Sequence, residues 1–220
     1  MPLALLFDLD GTMVDTDSLH IAAWNAVLAS HQRAIDATYY KSHVMGFANE
    51  AVTEALFPDH AAISRTAFTN EKEAAFRAQV GRLEPTAGLS GLLDWADFLG
   101  LPKAVVTNAP RDNAELMLRG LGWLDRFPVL IIGDELVAGK PDPLPYLMAM
   151  RRLGVEAAGS IAFEDSLSGV RAAAASGAQT VGLTTALSEQ ALRDAGATIV
   201  ARDFTDPALL AVLRRRAEGG

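Results

Sequence analysis

The chain reads as an α/β protein: a parallel sheet with helices on both faces, and a further set of helices inserted after the first strand. Three observations carry this reading. A bounded apolar run, Leu3-Ala4-Leu5-Leu6-Phe7, opens the sequence and stops at Asp8. Runs of that length suit a buried parallel strand, although periodicity alone leaves a short buried helix open. From Pro85 onward, short apolar runs alternate with helical patterns, as in a sheet built from strand-helix-strand units. Between Thr12 and about Arg82 there is no strand pattern, only helical spacing and a more polar composition.

Within the insertion, Leu19, Ala22, Ala23, Ala26 and Val27 recur at helical spacing over Asp17 to Ser30. Ala51 to Phe57 and Ser64 to Val80 read as two more helices, parted by Pro58-Asp59. Downstream, Ala87 to Phe98 is a helix with Thr86 as its N-cap and Gly100 after it. Lys103 to Thr107 is a strand ending at Asn108, followed by a helix from Arg111 to Leu121. Val129 to Ile132 is the next strand. Lys140-Pro141-Asp142-Pro143 then starts a helix, with Asp142 at N-cap, Pro143 in the first turn and Gly154 closing it. Ser160 to Phe163 is a strand ending at Glu164-Asp165, and Ser168 to Ser176 a helix stopped by Gly177. Thr180 to Leu183 and Thr198 to Val200 are weaker strands. Arg214-Arg215-Arg216 suits the end of a last helix, where cations favour the dipole, better than a basic patch.

The 220 residues lie between one domain and two on a length prior, and half of them are hydrophobic. A chain of this size can bury roughly 70% of its unfolded surface, so its core needs no covalent staple. Cysteine is absent, which excludes disulfides, thiolate metal sites and a cysteine nucleophile and fits a cytoplasmic protein. The N-terminal apolar run is too short for a signal peptide or a membrane span. A net charge of −8 disfavours nucleic acid and anionic membranes as partners. It leaves a small phosphorylated metabolite open, because local cations set the field inside a cleft.

The strand ends carry the functional signal. The first strand finishes in Asp8-Leu9-Asp10-Gly11-Thr12, another in Thr107-Asn108, another in Glu164-Asp165, and Lys140 precedes a helix. In an open α/β sheet, ligands bind outside the carboxyl ends of the strands, so these distant residues have a physical reason to meet. If the chain stays extended to residue 10, Asp8 and Asp10 fall on the same side. Like charges held that close repel, and a hard divalent cation relieves the repulsion. Taken singly, Asp8 to Gly11 is equally a strand cap and turn, Lys140 a solvated lysine, and Glu164-Asp165 acids ahead of a helix N-terminus.

Together, Asp8-Leu9-Asp10-Gly11-Thr12, Val105-Val106-Thr107-Asn108, Lys140-Pro141 and Glu164-Asp165 resemble, in order, the four motifs of the haloacid dehalogenase superfamily. The resemblance spans nearly the whole chain and implies a Rossmann-like core over residues 1–15 and 83–220, with a helical cap over 16–82. Asp15-Thr16, His20 and Trp24 resemble the subgroup of β-phosphoglucomutase and the sugar-phosphate phosphatases. The resemblance implies a Mg2+-dependent phosphomonoester hydrolase. Asp8 would be the nucleophile, giving an aspartyl phosphate, and Asp10 the proton donor and acceptor. Mg2+ would be held by Asp8, the Asp10 carbonyl and Asp165, with Glu164 a second acidic ligand or, by preference, a supporting group. Thr107, Asn108, Gly11 and Thr12 would meet the phosphoryl group, Lys140 would supply its positive charge, and His20 would contact substrate or shape the hinge. For His43 and Asn49 a surface or packing role is the better reading.

Mutases of that subgroup carry a Gly-x-x-Arg loop in the cap, and here the similar stretch is Gly46-Phe47-Ala48-Asn49. A neutral amide does not replace a bidentate cationic clamp, which favours hydrolysis, although Arg65, Arg77 or Arg111 could supply a clamp from elsewhere. A phosphosugar mutase is the alternative within this chemistry, and a non-catalytic phosphate-accepting or binding protein the alternative outside it. The chain is expected to act as a monomer or weak homodimer.

Overall fold

In a computed structural model, residues 3–219 are described, and they form one six-stranded sheet with ten helices. The strands are β1 (Ala4–Phe7), β2 (Lys103–Thr107), β3 (Val129–Ile132), β4 (Ser160–Glu164), β5 (Gln179–Leu183) and β6 (Ile199–Ala201). All pairings are parallel and the order across the sheet is β3-β2-β1-β4-β5-β6. The chain therefore grows outward on one side of β1, returns, and grows outward on the other. This places the ends of β2, β1 and β4 side by side at the point where the order reverses.

The period of two along each strand divides its residues between the two faces. Leu5 and Phe7 pack in one apolar layer with Val105, Ile161 and Phe163, while Leu6 packs in the other with Ala104, Val106 and Ala162. Both faces are covered, so the strands read as continuous apolar runs. Helices α5 (Leu89–Phe98), α6 (Arg111–Gly120) and α10 (Pro207–Glu218) supply the first layer, α7 (Leu144–Leu153) and α8 (Leu167–Ala175) the second. Phe7 and Phe163 stack at 4.9 Å directly beneath the strand ends. Such a pair adds about 0.5–1.5 kcal/mol beyond its buried area. Helix α9 (Glu189–Ala195) packs on the β5 side through Leu192.

Between β1 and α5 lie α1 (Asp17–Ala29), α2 (Ala37–His43), α3 (Asn49–Leu56) and α4 (Ala62–Gln79). Trp24, Val27, Leu28, Tyr40, Val52, Leu56 and Phe57 give these helices an apolar cluster of their own, although Ala23 and Phe76 join the main core. Among the described residues, no helix is long and apolar enough to cross a membrane.

Two expectations change. Thr86 does not cap α5, which starts at Leu89 behind Gly88 at φ 82°. The Thr86 hydroxyl instead donates to the Thr12 carbonyl at 2.8 Å, tying the loop before α5 to the loop after β1. Helix α7 begins at Leu144, one residue beyond Pro143, while the Asp142 carboxylate still accepts from the Leu144 N–H at 2.8 Å. At the other end of α7, Gly154 has the left-handed φ of 67° expected of a helix stop.

Candidate active site

Strand β1 ends at Phe7, and the Asp8 N–H donates to the Phe163 carbonyl at 3.0 Å. The backbone then turns through Gly11 at φ 77°. Asp10 lies in that turn, outside the regular strand, yet it lines the same cleft as Asp8. The two carboxylates thus share a cleft because the turn returns them to it, not because the strand continues to residue 10.

Lys140 is not a solvated lysine. It is buried, and its Nζ donates to Asp8 Oδ1 and to Glu164 Oε1, at 2.5 Å each. The Asn108 side chain fixes the Lys140 backbone at both ends: Oδ1 accepts from its N–H and Nδ2 donates to its carbonyl, each at 3.0 Å. Glu164 is wholly buried and fully engaged. Besides Lys140, Oε1 accepts from the Tyr146 hydroxyl at 2.6 Å, and Oε2 accepts from Ser166 at 3.3 Å. Tyr146 has no motif to announce it and was not anticipated from the sequence; its one signal is an aromatic residue in the first turn of α7.

Asp165 differs from Glu164. Its Oδ1 accepts from the Thr12 hydroxyl at 3.0 Å, while Oδ2 is buried with no hydrogen-bond partner. Gly11 lies directly against it, since a Cβ there would sit 2.1 Å from Oδ2. Gly11 and Thr12 thus reach the site through Asp165. The Gly11 N–H donates to Val14, and the Thr12 side chain is committed to Asp165. Ligand atoms of Asp8, Glu164 and Asp165 all come within 4.8 Å of one another. That crowding, with an orphaned carboxylate oxygen, fits a hard divalent cation that takes oxygen ligands.

Burial, followed by the Glu164 charge, pushes the Asp8 carboxyl up to about 8 despite the opposing charge of Lys140. Asp165 is raised well above the usual carboxylate range, by burial first and by the Asp8 charge second. Asp10 goes the other way. Burial would raise it, but hydrogen bonds from His20 and Thr16 and the nearby charge of Lys72 outweigh burial and hold it low.

The Asp10 hydrogen bonds run on into the inserted helices. Oδ1 accepts from Thr16 at 2.6 Å and from His20 Nε2 at 3.0 Å. Lys72 Nζ lies 3.0 Å from His20 Nδ1. An ammonium can only donate, so Nδ1 accepts and Nε2 carries the proton given to Asp10. Lys72 also donates to Glu73 Oε1 at 2.7 Å. Glu73 further accepts from Asn49 at 2.7 Å and from Asn113. Lys72 and Glu73 had no signal in the sequence, because neither belongs to a motif and both act through tertiary contacts.

Asn49 thus turns toward Glu73, while neighbouring Gly46 (φ 77°) is held through its carbonyl, which accepts from Ser168 at 2.5 Å. None of the three arginines that could replace the missing clamp is among the described residues that line the cleft. Arg65 donates to the His60 carbonyl, Arg77 to Asn113, and Arg111 to Glu135. Thr107 lines the cleft, where its Oγ1 accepts from the Ala109 N–H at 2.9 Å. His43 is exposed on α2.

Residues 5–183 match the family described as haloacid dehalogenase-like hydrolase. Over 206 residues the chain is 34% identical to the validoxylamine A 7'-phosphate phosphatase of Streptomyces hygroscopicus subsp. limoneus, covering 91% of this chain and 93% of that one. It is also 34% identical to a phosphoglycolate phosphatase of Xylella fastidiosa, over 80% of this chain and 77% of that one. The β-phosphoglucomutase structure from Clostridium difficile superposes with a TM-score of 0.87, covering 99% of this chain and 98% of that one. At 20% identity that likeness concerns the fold. Sequence relatives and architecture agree with what the four motifs suggested: the chain belongs to the haloacid dehalogenase-like hydrolases, among their phosphatases.

Proposed function

We propose that this chain is a Mg2+-dependent phosphomonoester hydrolase that works through an aspartyl phosphate on Asp8. The observation that supports it most is the meeting of Asp8 and Asp165, after adjoining strands, with Lys140 from the segment before α7, while Asp10 is held separately by Thr16 and His20.

In the first half-reaction an Asp8 carboxylate oxygen attacks phosphorus, and the bond from phosphorus to the substrate alcohol breaks. Asp10, which rests ionised, takes up a proton as substrate binds and gives it to the departing alkoxide. In the second half, Asp10 takes a proton from water, which attacks the same phosphorus and returns Asp8 as a carboxylate with release of inorganic phosphate. The hydrogen-bonded His20 fixes the orientation of Asp10 through both transfers. Lys140, held in place through Asn108, places its charge on the phosphoryl oxygens, joined by Thr107 and the Asn108 backbone. A bound Mg2+ would neutralise transferring oxygens and offset the repulsion among the acids. Asp8, Asp165 and the Asp10 carbonyl would hold it. Glu164 serves instead as the counter-charge of Lys140, since both its oxygens already accept hydrogen bonds.

Residues 16–82 act as the cap, which excludes water and touches the alcohol portion of the substrate. The substrate is a small phosphorylated metabolite, as for the relatives named for validoxylamine A 7'-phosphate and phosphoglycolate. Mutase chemistry is disfavoured because Asn49 and the three arginines offer no clamp for a second phosphate. The test is phosphate release from p-nitrophenyl phosphate with Mg2+, after EDTA, and after metal is restored. No release by the metal-loaded protein would sink the reading.

A further inference from the structure

We infer that the cap side of this cleft selects substrates whose leaving alcohol is uncharged or cationic, and rejects those bearing a second anionic group. Glu73 and Asn49 set that preference. The inference rests on the hydrolase reading above, and it names the substrate class for that site.

The argument is an inventory of charge. Among the described residues lining the cleft, the carboxylates are Asp8, Asp10, Asp17 and Glu73, and the lysines are Lys72 and Lys140. Lys140 sits between Asp8 and Glu164 and faces the phosphoryl position. Lys72 is the one lysine on the cap side, and it is already held by Glu73 at 2.7 Å and His20 at 3.0 Å. Lys72 and Glu73 are both nearly inaccessible, at 3% and 4% exposure, so their mutual attraction is poorly screened by water. Lys72 keeps a third N–H, but Glu73 already offsets its charge, so an incoming carboxylate or phosphate gains little net attraction there and meets Glu73 as a like charge.

Asn49 closes the other route. It opens α3 at the cleft wall, brings no charge there, and donates through Nδ2 to Glu73 at 2.7 Å. Asp17 also lines the cleft on that side, where burial and then the Asp15 charge raise its carboxyl and weaken its anionic form. A substrate hydroxyl or ammonium meets acceptors there, whereas a carboxylate meets repulsion and no free cation. Specificity of this kind comes from what the site refuses as much as from what it holds.

The test compares three two-carbon monophosphates that differ only in their far end: phosphoglycolate (carboxylate), 2-hydroxyethyl phosphate (hydroxyl) and 2-aminoethyl phosphate (ammonium). Assayed on the Mg2+-loaded protein, the last two should exceed phosphoglycolate in kcat/KM by at least about tenfold, the scale of one unmatched charged contact. Glu73→Gln frees Lys72, and Asn49→Arg adds a cation. Each should narrow that ratio about tenfold, chiefly through a lower KM for phosphoglycolate, a gain that mere loosening of the cap does not produce. Two independent variants guard against one failing to fold. Phosphoglycolate hydrolysed as well as the hydroxyl compound, or a ratio untouched in both folded variants, would overturn the inference while leaving the hydrolase reading intact. Loss of all turnover, p-nitrophenyl phosphate included, would remove the hydrolase reading and the inference with it.

Discussion

Lys140 Nζ lies 2.5 Å from Asp8 Oδ1, although 132 residues of chain separate them, and the same nitrogen lies 2.5 Å from Glu164 Oε1. One buried cation thus holds two buried carboxylates. Removing it strands both, so Lys140→Ala should lower stability by about 3–5 kcal/mol in urea unfolding. Adding Glu164→Gln should recover part of that loss, because one stranded charge is then neutral. A single variant as stable as the parent would contradict the arrangement.

Asp8→Asn keeps the shape of the side chain and removes its nucleophilic oxygen. Turnover of p-nitrophenyl phosphate should fall by roughly 10³-fold or more, as when a group acting as a unit with its neighbours is lost. The far-ultraviolet circular dichroism should stay that of the parent. Retained phosphate release would remove Asp8 from the nucleophile role.

Metal binding should be visible without any turnover. Mg2+ at about 100 times its Kd should add about 2.7 kcal/mol of stability to the parent chain. Asp165→Asn should lose that increment, measured as the shift in Tm on adding metal. Without metal the variant should melt no lower than the parent, since neutralising Asp165 relieves its repulsion with Asp8. A full Mg2+ shift in the variant would exclude Asp165 as a ligand.

Glu73 predicts an acid response. Burial would raise its carboxyl, but Lys72 and Asn113 outweigh burial and hold it below its ordinary 4.5. A depressed folded-state value means that the unfolded chain takes up the proton first. The stability contributed is complete above about 4.5 and disappears as pH falls through the lower folded value. Glu73→Gln should therefore flatten the decline of stability below that pH, read by urea midpoints across an acid series. Parallel declines in parent and variant would refute the assignment.

Much of this could be read from the sequence, for identifiable reasons. Strands β1 to β4 are covered on both faces, so they appear as bounded apolar runs, and the parallel order brings their chemical ends together. Helix α2 escaped notice because seven residues, Ala37–His43, are too few and too polar to show a period. Thr86 has the chemistry of an N-cap, but its hydroxyl is claimed by the Thr12 carbonyl. Gly11 and Thr12 belong to a motif expected to meet phosphate, and their contact with Asp165 is a further partner that the motif does not announce. Local sequence carries no sign of such partners, and the same holds for Tyr146 on Glu164 and Asn49 on Glu73.

The grip of Ser168 on the Gly46 carbonyl has a consequence for every substrate. The loop docks on the core through its backbone, and a Cβ at Gly46 would come within 2.5 Å of the Ser168 hydroxyl oxygen, so only glycine seats there without displacement. Undoing the contact costs about 0.5–1.5 kcal/mol whatever molecule lies beneath it. A contact that weak opens and closes faster than a typical turnover, so it orders the loop over every substrate alike without setting a ceiling on kcat.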